Sequence, residues 1–117
     1  MFTHKLQVIA EGGNQKQRIG CTPIIIAAEY DQPAILTMLL EAGADPNTSD
    51  VKGMSALYTA ANCGNLRAGK VLVEAGADIN AQVLRGQSVI SIAAGKDHLA
   101  FVEYLLSLDG IEVDGGR

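Results

Sequence analysis

Glu41-Ala42-Gly43-Ala44-Asp45-Pro46-Asn47 returns almost letter for letter as Glu74-Ala75-Gly76-Ala77-Asp78-Ile79-Asn80, 33 positions further along a chain of 117 residues. Self-similarity at a fixed period of this length is the one-dimensional signature of a solenoid made of small stacked units. Other residues keep the same register. Gly20, Gly53 and Gly86 are 33 apart, and two positions after each stands a hydroxyl residue, Thr22, Ser55 or Ser88. Such a side-chain oxygen accepts from the orphan amides of a helix N-terminus. In the first unit Pro23 comes next, where its fixed φ and missing N–H do no harm.

Outward from these caps the register continues. Ala27-Ala28, Ala60-Ala61 and Ala93-Ala94 are small pairs that let two helices approach closely, with Ile24, Leu57 and Ile90 as the matching apolar contacts. Asp31, Gly64 and Asp97 close the first helices, since glycine adopts a left-handed cap freely and Asp tolerates it better than most residues. A second helical stripe follows, carried by Ile35, Leu36, Leu39 and Leu40, then Val71, Leu72 and Val73, then Phe101, Val102, Leu105 and Leu106. Gly43 and Gly76 end it, and turn chemistry leads onward. The spacing predicts helices over 23–30, 34–42, 56–62, 66–75, 89–95 and 99–107.

Gly20-Cys21-Thr22-Pro23-Ile24, Ala27-Ala28, Leu39-Leu40 and Gly43-Ala44-Asp45-Pro46-Asn47 together resemble an ankyrin repeat, and the likeness runs from residue 20 to about 114. The resemblance implies an all-α solenoid of helix-turn-helix units joined by β-turn loops. Its divisions are an N-terminal half-repeat cap over 1–19, repeats over 20–52 and 53–85, and an irregular one over 86–117. Two departures stand out. The histidine usual after the family's Thr-Pro-Leu run is replaced by Ile25, Tyr58 and Ser91, which predicts that its hydrogen bonding across loops is missing. In the third unit Leu108-Asp109-Gly110-Ile111-Glu112-Val113-Asp114 fits the turn only with one inserted residue.

With 48% hydrophobic and 19% charged residues the chain can bury a core, which the resemblance makes a continuous strip between units. Phe2, Leu6 and Ile9 share a helical face suited to covering the first unit. At the other end Phe101, Val102, Leu105, Leu106 and Leu108 crowd one helix, so its apolar face is expected to be covered by further repeats, a partner or a second copy, further repeats being favoured. Gly69 stands where other units have Leu36 and Val102. The middle unit is therefore expected to be soft, and Gly69→Ala to stabilise it.

A net charge of −4 with no Lys/Arg stripe argues against nucleic acid. The longest apolar run, Ile24-Ile25-Ile26-Ala27-Ala28, is too short to span a bilayer, and no signal-peptide pattern opens the chain, so an intracellular, cytoplasmic protein is expected. Cys21 and Cys63 lack metal spacing and are expected to be thiols; His4 and His98 stand alone, His98 at a position where the family closes the turn between helices. Neither Gly12-Gly13 nor Gly115-Gly116 follows a strand, so neither is a phosphate loop. No catalytic constellation, metal or cofactor is expected.

The resemblance places a concave face at the loop tips and first-helix ends, where the units differ: Arg18, Ile19 and Cys21; Val51, Lys52 and Met54; Leu84, Arg85 and Gln87; with Glu29, Tyr30, Asn62, Cys63 and Lys96 behind. Ile19, Val51 and Leu84 flanked by Arg18, Lys52 and Arg85 are the apolar-and-basic mixture of a protein-binding patch. The reading is a non-catalytic protein-interaction module, with a targeting or regulatory segment of a larger enzyme or effector as the alternative. The family also suggests hydroxylation of a loop asparagine, Asn47 or Asn80, against the simpler role of satisfying loop backbone groups.

Overall fold

The computed structural model describes residues 22–113. The expected cap over 1–19, with Arg18, Ile19, Gly20 and Cys21, lies outside the described residues, as does the end of the chain from 114. Within them stand three helix pairs: α1 (Pro23–Glu29) with α2 (Pro33–Glu41), α3 (Ala56–Cys63) with α4 (Leu66–Glu74), and α5 (Val89–Gly95) with α6 (Leu99–Leu106).

Each pair is built by the same three devices. The hydroxyls of Thr22, Ser55 and Ser88 accept from the amides of Ile25, Tyr58 and Ser91 at 3.4, 3.1 and 3.1 Å, starting α1, α3 and α5. Asp31, Gly64 and Asp97, at φ 53°, 73° and 63°, then turn the chain left-handed. The amides of the next residues, Gln32, Asn65 and His98, fold back onto the carbonyls of Ala27, Ala60 and Ala93. Every helix boundary falls within one residue of its predicted position.

The alanine pairs explain how the units stack. Ala27, Ala28, Ala60, Ala61 and Ala93 are all buried, so α1, α3 and α5 lie side by side with methyl groups between them, and Leu36, Leu39, Leu72, Phe101 and Leu105 fill the space beneath. The result is the expected strip, 40 × 27 × 21 Å overall, not a central ball.

Polar clamps lock one unit to the next. Asn65 donates from Nδ2 to both Ala28 and Glu29 carbonyls at 2.9 Å, and His98 Nε2 lies 3.1 Å from the Asn62 carbonyl. Asn47 accepts from the Asp78 amide at 2.7 Å and donates to the Gly76 carbonyl at 3.4 Å. Asn80 repeats this with the Glu112 amide at 2.9 Å and the Gly110 carbonyl at 2.8 Å. Gly110 and Glu112 each stand one position late, so the inserted residue is absorbed in the Ser107-Leu108-Asp109 corner and the clamp restores register. Both asparagines have the simpler role weighed above: their amides are spent on the neighbouring backbone. Asn80→Ala is expected to cost about 1 kcal/mol, since the bonds are solvent-exposed, while Asn80→Asp, which keeps the acceptor for Glu112 but sets a carboxylate oxygen against the Gly110 carbonyl, should cost at least as much; denaturant midpoints measure both.

Two expectations need correction. Gly69 leaves no hole: a Cβ there would lie 2.6 Å from Phe101 Cζ and 2.9 Å from Cε2. Phe101 stands at the position of Ile35 and Ala68, so volume missing from the middle unit is supplied by the third. Nor is bonding between loops absent. Tyr58 donates its hydroxyl to Gln87 Oε1 at 2.7 Å, a bond reaching into the next unit's loop.

Candidate protein-interaction site

Two short fingers bound the site. In the first, Asp50 Oδ1 accepts from the amides of Lys52 and Met54, each at 2.9 Å, and an antiparallel bridge joins Ser49 to Ser55. In the second, the amide of Val83 bonds the carbonyl of Gln87 at 3.0 Å, with a bridge from Gln82 to Ser88. The fingers are tied directly, the Leu84 amide donating to the Lys52 carbonyl at 3.1 Å. Gly53 is required twice over. Its φ of 79° closes the first finger, and a Cβ would sit 3.0 Å from the Leu84 nitrogen.

Between the fingers and the end of α3 opens a cleft of about 480 Å³, lined by Val51, Lys52, Met54, Tyr58, Asn62, Val83, Leu84 and Arg85. Tyr58 and Val83 are buried, whereas Val51 and Leu84 are 60% and 78% exposed. Lys52 and Arg85 add two cations. Burial raises the Tyr58 phenol above its ordinary pKa, and the Arg85 charge opposes that shift. At neutral pH the phenol is therefore a proton donor to Gln87. A phenol bonded to an amide, an ammonium and a guanidinium recognise polar groups; they supply no nucleophile–base pair.

Six predicted residues come together here: Val51, Lys52, Met54, Asn62, Leu84 and Arg85. Gln87 serves as a strut behind them, bonded to Tyr58. Glu29 and Tyr30 at the end of α1 and Lys96 at the end of α5 do not line the cleft, and Ile19 is outside the described residues. Tyr58 and Val83 were not anticipated. Tyr58 had a signal, since it occupies the position of the family's histidine; Val83 had only its place beside Leu84. Among the described residues no group of three or more His, Cys, Asp or Glu side chains could hold a metal ion, and no helix is long and apolar enough to cross a membrane.

The model for ankyrin repeats in three copies matches residues 3–83 and 24–116. The chain belongs to the ankyrin-repeat family. Ankyrin repeats are generally protein-interaction modules, and the cleft lies where two successive ankyrin fingers meet. NF-kappa-B inhibitor delta of Mus musculus is 43% identical over 49 residues, which is 42% of this chain and 15% of that relative. The chain thus spans a small part of the relative's length.

Proposed function

We propose that the chain is a non-catalytic module that binds a partner protein through the cleft between its fingers and the surrounding tips. One observation carries this reading: Val51 and Leu84 are held in the open by a rigid hydrogen-bonded frame, at the edge of a preformed apolar cleft. Single exposed hydrophobes are ordinary. Two that converge on a cleft beside Met54, with cations at hand, have the composition of an interface core and rim. Tyr30, Glu29 and Lys96 extend the same surface at its margins. An intracellular, cytoplasmic site of action belongs to the proposal and rests on the family.

The test compares capture from a lysate by the immobilised chain, by Val51→Ser/Met54→Ser/Leu84→Ser, and by Thr37→Ala/Lys70→Ala/Glu103→Ala on the second-helix side. The first triple variant should lose the partners that the chain retains, and the second should keep them, with both still folded by circular dichroism. The opposite pattern would put the working surface on the second-helix side and overturn this reading.

The relative's greater length favours a second reading, in which this segment targets or regulates a larger protein. Leu99 and Leu106, both exposed on α6, offer a surface for further repeats or another chain. Sedimentation checks this: a clean monomer at high concentration that binds no apolar dye would show that the face needs no cover.

A further inference from the structure

The cleft has a chemistry more specific than general stickiness. Lys52 and Arg85 line it, and the ion pair of Arg67 with Asp31, at 3.7 Å, lies elsewhere. Asp50, in the same finger as Lys52, has Oδ1 committed to two amides of its own loop. On a chain of net charge −4 this is a local cationic spot around an apolar hole. Two cations are far fewer than a phosphate backbone recruits, whereas they suit carboxylates on either side of one inserted residue.

The interior has its own preference. Met54 brings a thioether, which favours the edge of an aromatic ring. Tyr58, buried in the lining, adds an aromatic wall, and the exposed cations Lys52 and Arg85 on the rim are of the kind that a ring's negative face attracts. A space of about 480 Å³ is enough for one such ring with part of the backbone that carries it.

We propose that the inter-finger cleft receives one aromatic side chain from an acidic segment of the partner protein, with carboxylates next to the ring met by Lys52 and Arg85. This rests on the binding reading above and gives it a ligand class. Added salt should weaken the binding of such a segment, because the cations are solvent-exposed.

The probes are three pentapeptides with blocked ends, Glu-Glu-Trp-Glu-Glu, Lys-Lys-Trp-Lys-Lys and Glu-Glu-Ala-Glu-Glu, titrated into the isotope-labelled 117-residue chain and followed by amide NMR shifts. The acidic tryptophan peptide is expected to give saturable shifts at Val51, Met54, Leu84 and Arg85, and to bind about tenfold more tightly than either of the others. In Lys52→Glu/Arg85→Glu, whose fold the same spectra report, the preference should pass to the basic peptide. Equal or tighter binding of the basic or alanine peptide by the unaltered chain, shifts confined to another face, or no binding by the acidic tryptophan peptide at millimolar concentration would each overturn the inference. The broader reading would survive any of these if Val51→Ser/Met54→Ser/Leu84→Ser still abolished capture of partners, and would fall with that variant's retention of them.

Discussion

Phe101→Ala is expected to lower the unfolding free energy by about 3–5 kcal/mol, at the upper end of what removing one side chain does. The ring is essentially inaccessible, 1% exposed, and its tip rests on Gly69. Large-to-small changes are mildest where neighbours can lean into the space. Here the neighbour is helix backbone with no side chain to lean, so most of the cavity should persist. Solenoid stability comes largely from interfaces between adjacent units, and this ring fills much of the one between the second and third. The loss should therefore divide the protein: in urea, reporters in α5 and α6 are expected to melt before reporters in α1 and α2, where the unaltered chain melts as one. A loss below about 1 kcal/mol would mean that the interface does not depend on the ring as its burial implies.

Gly69→Ala is expected to destabilise, reversing what helix propensity predicts. Alanine in a helix interior is better than glycine by about 1 kcal/mol. Against this, the new methyl would lie 2.6 Å from Phe101 Cζ, and forcing an extra carbon into a filled core costs about 1–3 kcal/mol. A flexible side chain could swing away, but a buried ring packed on all sides must move together with its helix. The net should be a lower melting temperature. Adding Phe101→Leu provides the control. The double variant is expected to be more stable than the two separate losses predict, because the residues occupy one volume and contacting sites couple non-additively. Strict additivity would place the cost of Gly69→Ala somewhere other than the ring.

This pair also marks where reading from sequence stops working. The caps, left-handed turns and six helices were legible because each depends on residues close along the chain: a hydroxyl two positions after a glycine, an Asp or Gly after a first helix. Comparing equivalent positions found the glycine but misjudged it. Its missing volume is returned by Phe101, at a neighbouring position in another unit, and only the folded structure shows side chains meeting across such an offset. The candidate site divided the same way. Val51 and Leu84 announced themselves as apolar residues on loop tips, while Tyr58 looked like a lost histidine and proved to be the buried donor that braces the next finger through Gln87. Glu29, Tyr30 and Lys96 were grouped with the tips by repeat position alone, and position does not tell which residues share one cleft.

The surplus residue in the third unit bears on how such an array can change over generations. Asn80 grips Gly110 and Glu112 much as Asn47 grips Gly76 and Asp78, although its two partners have slipped by one position. The corner after a second helix is thus a junction where an in-frame codon can be gained or lost without shifting everything downstream. Drift in length can accumulate there, whereas a codon gained between Ser55 and Asn65 would throw cap, alanine pair and clamp out of phase with their neighbours.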